Sequence, residues 1–303
     1  MELRHLRYFL AVAEERNITR AAEKLHIAQP PLSRQIQQLE DFLGVALFVR
    51  GSRPLELTEA GQHFQKHAVQ LINQSKNLIA STRNIGKVEA KFTMGFVGST
   101  LYGLLPEVAR RFKAAHPNVD LSLVEMATLD QIRALKAGEI DVGIGRVRHE
   151  DPNIRRILLR EEPLVAAVPS DHALAAKERV SLHDLIGETL ILYPNHPRPS
   201  FADLVLEAFH DRGLIPGRTM EARELQVSLG LVAAGMGVTI APKSVLGMQR
   251  HDVVFREFDD PRLVSPILMS IRMEEDSVYI RSLLGLIYDI YRAEGLPHVE
   301  ETL

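Results

Sequence analysis

The chain contains no cysteine, which excludes disulfide bonds, thiol catalysis and cysteine-based zinc sites. Long apolar runs are also missing, so no segment reads as a membrane span. The twelve histidines are scattered without HExxH or another metal-ligand spacing, and there is no GxSxG elbow and no phosphate-binding P-loop. No cofactor site and no catalytic constellation follow from such a sequence. Charge of one sign is lacking too: the net charge is −3, and residues 1–60 hold eight Lys/Arg against eight Asp/Glu. Any nucleic acid must therefore be held by the placement of cations and not by their total. The opening Met1-Glu2-Leu3-Arg4-His5-Leu6-Arg7 runs straight into an amphipathic pattern, without the apolar core and small-residue cleavage site of a secretion signal. A cytoplasmic protein is expected. Internal repeats and low-complexity tracts are absent as well, and 303 residues suggest two or three domains.

What is present begins with Ala21-Ala22-Glu23-Lys24-Leu25-His26-Ile27-Ala28-Gln29-Pro30-Pro31-Leu32-Ser33-Arg34-Gln35-Ile36. It reads as two short helices joined by a tight turn. Proline suits the first turn of the second helix, where a missing N–H loses no intrahelical partner. That helix keeps Leu32, Ile36 and Leu39 as an apolar stripe and turns Ser33, Arg34, Gln37 and Gln38 outward. Hydroxyl, amide and guanidinium groups on one exposed face are the equipment for reading base edges in a major groove. An earlier helix is expected over residues 3–15, with Asn17 or Thr19 capping the next. The second helix runs to about Phe42 and stops at Gly44. Ala46–Arg50, a Gly51-Ser52-Arg53-Pro54 turn and Leu55–Thr58 read as a hairpin wing, with Arg50 and Arg53 against the phosphate backbone or a minor groove, or else on a solvated turn. From Thr58 to about Gly86 there is no proline, and Phe64, Ala68, Leu71, Ile72, Leu78 and Ile79 recur at helical spacing. A helix of that length spans about 40 Å at 1.5 Å per residue. Its isolated stripe asks for a partner helix, most simply the same helix of a second subunit.

From Lys91 onward short apolar strands alternate with amphipathic helices, the pattern of doubly wound α/β sheets. Strands are expected at 92–97, 121–126, 140–145, 164–168, 190–193 and 238–241, and helices at 101–114, 129–137, 201–210 and 226–235. Two lobes fit, with the chain crossing near Arg160 and returning near Val264. Gly235-Met236-Gly237 lacks the GxGxxG context and reads as a close-packed helix end.

Leu6-Arg7-Tyr8-Phe9, Thr19-Arg20-Ala21-Ala22, Gln29-Pro30-Pro31-Leu32-Ser33-Arg34-Gln35-Ile36, Leu39-Glu40, Leu43-Gly44, Leu47-Phe48 and Leu57-Thr58-Glu59-Ala60-Gly61 resemble the DNA-binding end of LysR-type transcriptional regulators. The resemblance spans the whole chain. Gly95-Phe96-Val97-Gly98-Ser99, Gly145-Arg146, Leu192-Tyr193-Pro194 with Pro199, and Leu231-Val232-Ala233-Ala234-Gly235 are similar to the subgroup controlling benzoate and catechol degradation, which responds to cis,cis-muconate. It implies a winged helix-turn-helix (1–58), a linker and dimerisation helix (59–88), and a two-lobed, periplasmic-binding-protein-like α/β effector domain (89–303). Lobe I would take 89–161 and 266–303, and lobe II 162–265. It further implies a homodimer or homotetramer, a double-stranded inverted-repeat DNA operator, RNA polymerase as a partner, no membrane and activation on binding a small carboxylate inducer.

Within that frame Gln29, Ser33 and Arg34 are the base-reading candidates, with Pro30 and Pro31 shaping the helix entry and offering apolar contact to thymine methyls, against the plainer role of capping and solubilising an exposed helix. Gly98, Ser99 and Thr100, then Thr128, then Pro199, Ser200 and Phe201 mark helix starts that could hold a carboxylate; the alternative is that the hydroxyls only cap their helices. Arg146 could hold the cleft wall, an inducer carboxylate or a structural ion pair. Arg160, Arg223, Glu224 and Tyr291 could form a second ligand site for an aromatic acid such as benzoate, or an ion-pair cluster between lobes. The rival classes are a plain solute-binding protein, disfavoured by the helix-turn-helix, and an enzyme, disfavoured by the missing constellation.

Overall fold

The computed structural model describes residues 1–302 apart from Arg50, Arg53, 84–89, Gln249, Glu274 and Asp276. Arg50 and Arg53, two expected phosphate contacts, and the end of the expected linker helix thus lie outside the described residues, as does the side chain of Leu78. The chain divides into two compact units, one holding Met1–Lys87 and Ala137–Glu139 and one holding Val88–Lys136 and Ile140–Leu303.

The first unit is built from α1 (Leu3–Glu15), α2 (Ile18–Lys24), α3 (Gln29–Leu43) and α4 (Glu59–Arg83). Leu6, Phe9, Val12, Leu32 and Leu39 meet in one core, where Phe9 packs edge-on against Phe64 of α4. Asn17, not Thr19, caps α2: its side-chain oxygen accepts from the amides of Thr19 (2.9 Å) and Arg20 (3.2 Å). Gly44 ends α3 with φ +72°, a left-handed conformation that costs glycine little. Among the described residues the expected hairpin is one bridge, Phe48 with Leu57, flanked by the Val49 amide donating to the Glu56 carbonyl (2.8 Å) and the Thr58 amide to the Leu47 carbonyl (2.9 Å). Glu40 of α3 braces this segment: its Oε1 accepts the amides of Leu47 (2.7 Å) and Phe48 (3.1 Å).

The second unit opens with β1 (Ala90–Phe96), α5 (Leu105–Ala115), β2 (Val119–Glu125), α6 (Thr128–Ala137) and β3 (Val142–Gly145). The helix expected from Leu101 is instead a 3-10 turn, Gly98–Tyr102, a break at Gly103, and α5, which starts where Pro106 can occupy the first turn. β1 pairs in parallel with both β2 and β3. The chain then runs through the 16-residue β4 (Ile154–Pro169), followed by β5 (Arg179–Val180), β6 (Thr189–Leu192), α7 (Phe201–His210), β7 (Arg218–Glu221), α8 (Leu225–Ala233), β8 (Val238–Pro242) and β9 (Val253–Phe258). β10 (Val264–Arg272) and α9 (Val278–Ala293) finish the unit.

β4 belongs to two sheets. From Ile154 to Pro163 it pairs with β10, and from Leu164 to Pro169 with β8 and β9. One sheet therefore runs β2-β1-β3-β10-β4, with α5 and α9 on one face and α6 on the other; the second continues β4-β8-β6-β7 beneath α7 and α8. Each lobe encloses its own apolar core: Phe92, Met94, Phe112, Ile157 and Leu283 in the first, and Val165, Leu185, Phe209, Leu229 and Ala241 in the second. After α8, Gly237 brings its backbone so close to Thr189 that a Cβ would strike the Thr189 carbonyl, which fits a packed helix end. No helix among the described residues is long and apolar enough to cross a membrane.

Candidate functional site

In the first unit the site is a helix face. Leu32, Ile36 and Leu39 are 0%, 6% and 2% exposed, while Gln29, Pro30, Pro31, Arg34, Gln37 and Gln38 are exposed and Ser33 half-buried. Gln29 donates to the Ser33 hydroxyl at 2.9 Å and Gln37 to Asp41 at 2.8 Å. Both are local surface bonds that a base edge can replace. Arg34 makes no hydrogen bond or ion pair with any described residue. Lys24 is held by Glu14 and Glu15, which raise its pKa above the ordinary lysine value. Glu40 was not singled out by sequence reasoning, yet it fixes the bridge strand to the reading helix.

In the second unit a cleft of about 310 Å³ lies between the lobes, the size of a small-ligand site. It gathers Gly98, Ser99, Thr128, Arg146, Pro199, Ser200 and Phe201 from the candidate list. Arg146, at the end of β3, organises the wall. Its backbone N–H donates to Thr128 Oγ1 (3.3 Å), Nε–H to Ser99 Oγ (2.9 Å) and Nη1 to Ser265 Oγ (3.4 Å), while Nη2 pairs with Glu162 at 2.5 Å. The guanidinium is 3% and the carboxylate 1% exposed, so this is the structural ion pair among the options for Arg146. Burial pushes the Glu162 carboxyl up, but the charge and hydrogen bond of Arg146, with Arg160 behind it, outweigh burial and hold its pKa below the ordinary glutamate value.

The four candidate hydroxyls separate by what they have left to give. Ser99 and Thr128 accept from Arg146, and no described residue takes their own protons. Ser200 donates to the Pro194 carbonyl (3.0 Å) and accepts from Ala202 (3.2 Å) as the cap of α7, so both its functions are used. Thr100 donates to the Val97 carbonyl (2.7 Å) and faces a different cavity. Thr100 is therefore corrected out of the cleft, because the 3-10 turn rotates it to the opposite side of the segment.

The expected second site also divides. Arg160 and Tyr291 do meet, the guanidinium lying 5.7 Å from the ring centroid, and they line a small cavity of about 40 Å³ with Leu105, Leu159 and Ile287. Arg160 reaches Glu162 at 3.5 Å and leaves a buried Nε–H without a partner among the described residues. Burial pushes the Tyr291 hydroxyl up to about 12. Arg223 and Glu224 do not join them: they precede α8 and stand at the rim of the main cleft. There Arg223 has no partner among the described residues, while Glu125, Asp130 and Glu224 add negative charge nearby. Sequence reasoning also missed Tyr193 as a lining residue. Its hydroxyl is buried and finds no partner among the described residues, and burial pushes its pKa far up, so it stays a neutral phenol. No group of three or more His, Asp or Glu among the described residues could hold a metal ion.

Comparison with known proteins bears on both halves. Residues 3–62 match the bacterial regulatory helix-turn-helix protein family, lysR type, and residues 86–289 match the LysR substrate binding domain. The chain is 47% identical over 297 residues to the HTH-type transcriptional regulator BenM of Acinetobacter baylyi, covering 97% of this chain and 98% of that protein. It is 48% identical over 288 residues to the HTH-type transcriptional regulator CatR of Pseudomonas putida, covering 95% and 98%. The solved structure of the BenM effector binding domain with its effector benzoate superposes with a TM-score of 0.68 at 43% identity, over 71% of this chain and 98% of that one. A helix-turn-helix unit joined to a two-lobed α/β unit, matched by family and relatives along nearly its whole length, leaves one assignment: the chain is a LysR-family transcriptional regulator.

Proposed function

We propose that this regulator works in the cytoplasm and activates genes of benzoate and catechol breakdown when a small dicarboxylate, cis,cis-muconate, occupies the cleft between the lobes. The observation that carries the reading is the pair of uncommitted hydroxyl protons on Ser99 and Thr128, both oriented by Arg146. A hydroxyl whose lone pair is already engaged points its own proton elsewhere, and a carboxylate accepts two such bonds. The amides at the start of α6 add donors beside Thr128. Arg223, at the rim without a partner among the described residues, and the buried Tyr193 phenol would serve the second carboxylate from lobe II. A ligand that touches both lobes favours the closed arrangement by its differential affinity. Domains 1–58, 59–88 and 89–303 would then act as reading head, dimerisation helix and sensor of a homodimer or homotetramer on an inverted-repeat operator, with RNA polymerase as the downstream partner.

Calorimetric titration of the full chain with cis,cis-muconate tests the cleft. Hydrogen bonds to a charged group contribute about 1.5–3 kcal/mol, so Ser99→Ala and Thr128→Ala are each expected to weaken binding roughly tenfold or more. Ser200→Ala is expected to lose about 1 kcal/mol of stability as a cap and leave the affinity near that of the parent. Equal affinity in Ser99→Ala, Thr128→Ala and parent would sink the cleft reading.

Benzoate is assigned to the second cavity, where Arg160 keeps an unspent N–H beside an aromatic wall. At about 40 Å³ the cavity holds a few waters and must widen to take a ring. On the DNA side, Arg34→Ala removes an unpaired guanidinium from the reading face. One bidentate base contact is worth roughly 1–3 kcal/mol, so operator affinity in a gel-shift titration should fall about 5- to 150-fold while far-UV circular dichroism stays unchanged. An unchanged operator Kd would remove Arg34 from the reading set.

A further inference from the structure

The described residues beyond α9 fold back on it. Leu296 N–H donates back to the Tyr291 carbonyl (2.9 Å), and the last residues lie along the helix they follow. The Glu301 amide donates to the Tyr288 hydroxyl (3.0 Å), Arg155 donates to the Thr302 carbonyl (2.6 Å), and Arg292 pairs with Glu300. His298 sits under this strap with its side chain 11% exposed. Its Nδ1–H donates to the Leu296 carbonyl (2.8 Å), its ring lies nearly flat on Tyr288 (5.7 Å, 20°), and it meets Tyr291 edge-on (5.5 Å, 60°). Tyr291 is thus held between Arg160 on the cavity side and His298 on the outside.

Met94, Ile144 and Leu159 on strands and Leu105, Val108 and Ile287 on helices are as buried as Tyr291 in the lobe I core, and Thr100, Gly103, Leu104 and Ile267 complete the lining. What sets Tyr291 apart is what stands behind it. Tyr291 alone among the residues named here backs onto the strap. We infer that His298 is a positioning residue that sets the size limit of the second cavity, by fixing how far Tyr291 can tilt outward when an aromatic carboxylate enters beside Arg160. The inference rests on the proposed benzoate site and adds what determines its specificity: small single-ring acids are admitted and larger aromatic acids refused.

The test is calorimetric titration of the full chain with benzoate and with 2-naphthoate, for the parent, His298→Ala and His298→Phe. Arg160→Met locates the binding. The parent is expected to prefer benzoate. His298→Ala should shrink that preference roughly three- to tenfold, the scale of one lost edge-to-face ring contact. His298→Phe, which keeps a ring, should restore it, and muconate binding should be the same in all three. An unchanged preference in His298→Ala, or a loss of affinity for both acids in equal proportion, overturns the proposal while the benzoate site stands. Benzoate binding that is absent from the parent, or that survives Arg160→Met, removes the benzoate site and the proposal together.

Discussion

Replacing Arg146 by methionine is expected to lower the stability of the effector unit by about 3 kcal/mol, at the lower end of what breaking a buried ion pair costs. The variant leaves Glu162, 1% exposed, without its 2.5 Å partner. Arg160 at 3.5 Å and the Ser244 amide at 2.8 Å still face that carboxylate, which is why the loss stays at the lower end. For a unit of about 200 residues each kcal/mol moves the midpoint by roughly 2–4 °C, so the effector transition should fall by about 10 °C. Arg146→Met/Glu162→Gln should recover part of the loss, because the orphaned charge is then gone. The pH dependence has a definite direction. Glu162 titrates below its unfolded value in the native protein, so its pairing stabilises fully above about pH 4.3, the unfolded glutamate value. That contribution is lost as the pH falls through the depressed native pKa. The gap between parent and Arg146→Met should accordingly close on acidification. A midpoint within 2 °C of the parent at neutral pH would show the pair to be energetically neutral. Arg146→Met should also weaken muconate binding, since Ser99 loses the donor that orients it.

The second large effect is expected in the other unit. Gly61 opens α4 directly against the wing, and a Cβ there would run into the carbonyl oxygen of Leu47 and press on the Leu57 side chain. Leu47 cannot easily yield: it is 1% exposed, its carbonyl accepts from the Thr58 amide (2.9 Å) and its own amide is held by Glu40. Overpacking costs about 1–3 kcal/mol where neighbours can shift, and a backbone neighbour places Gly61→Ala at the top of that range. In a unit of fewer than 100 residues this amounts to 10 °C or more. Thermal unfolding followed by circular dichroism should show an early transition for the DNA-binding unit and an effector transition where the parent has it. Operator binding should weaken with the first transition, and muconate titration should be unaffected. A single unshifted transition would mean that α4 can back away from the wing at little cost.

Much of this architecture was readable from the chain. The α3 stripe of Leu32, Ile36 and Leu39 at 3.6-residue spacing and the fully buried Val142–Gly145 run left little ambiguity. The half of β4 that precedes Leu164 was not legible, because Arg155, Arg156, Arg160, Glu161 and Glu162 make it look like a polar loop. Those charges are accommodated by partners distant in sequence, such as Arg146 for Glu162 and the Val147 carbonyl for Arg156. By contrast α9, with Ile280, Leu283, Leu284, Ile287 and Tyr291 buried, carried a readable helical signal that was passed over. Of the hydroxyls named from the sequence, Ser99, Thr128 and Ser200 line the cleft and Thr100 does not, and which of them are free depends on where Arg146 and the Val97 and Pro194 carbonyls end up. Arg223 and Glu224 were grouped with Arg160 and Tyr291 as a second ligand site or an ion-pair cluster between lobes, and charge alone says nothing about which side of a lobe a turn faces.

The strand shared by both sheets has a consequence for the order in which the chain folds. Lobe II is an insertion whose two ends are neighbours: Val264 registers with Pro163, and the Leu164 amide donates to the Leu263 carbonyl at 2.9 Å. Until that insertion closes, β4 and β10 are separated by about a hundred residues of open chain, and their pairing carries the full entropy of closing so long a loop. Once lobe II has formed, its ends deliver the two strands already side by side, and what was a distant contact becomes a local one. The first sheet is then completed last at its β10–β4 edge, with lobe II acting as the template on which lobe I is finished.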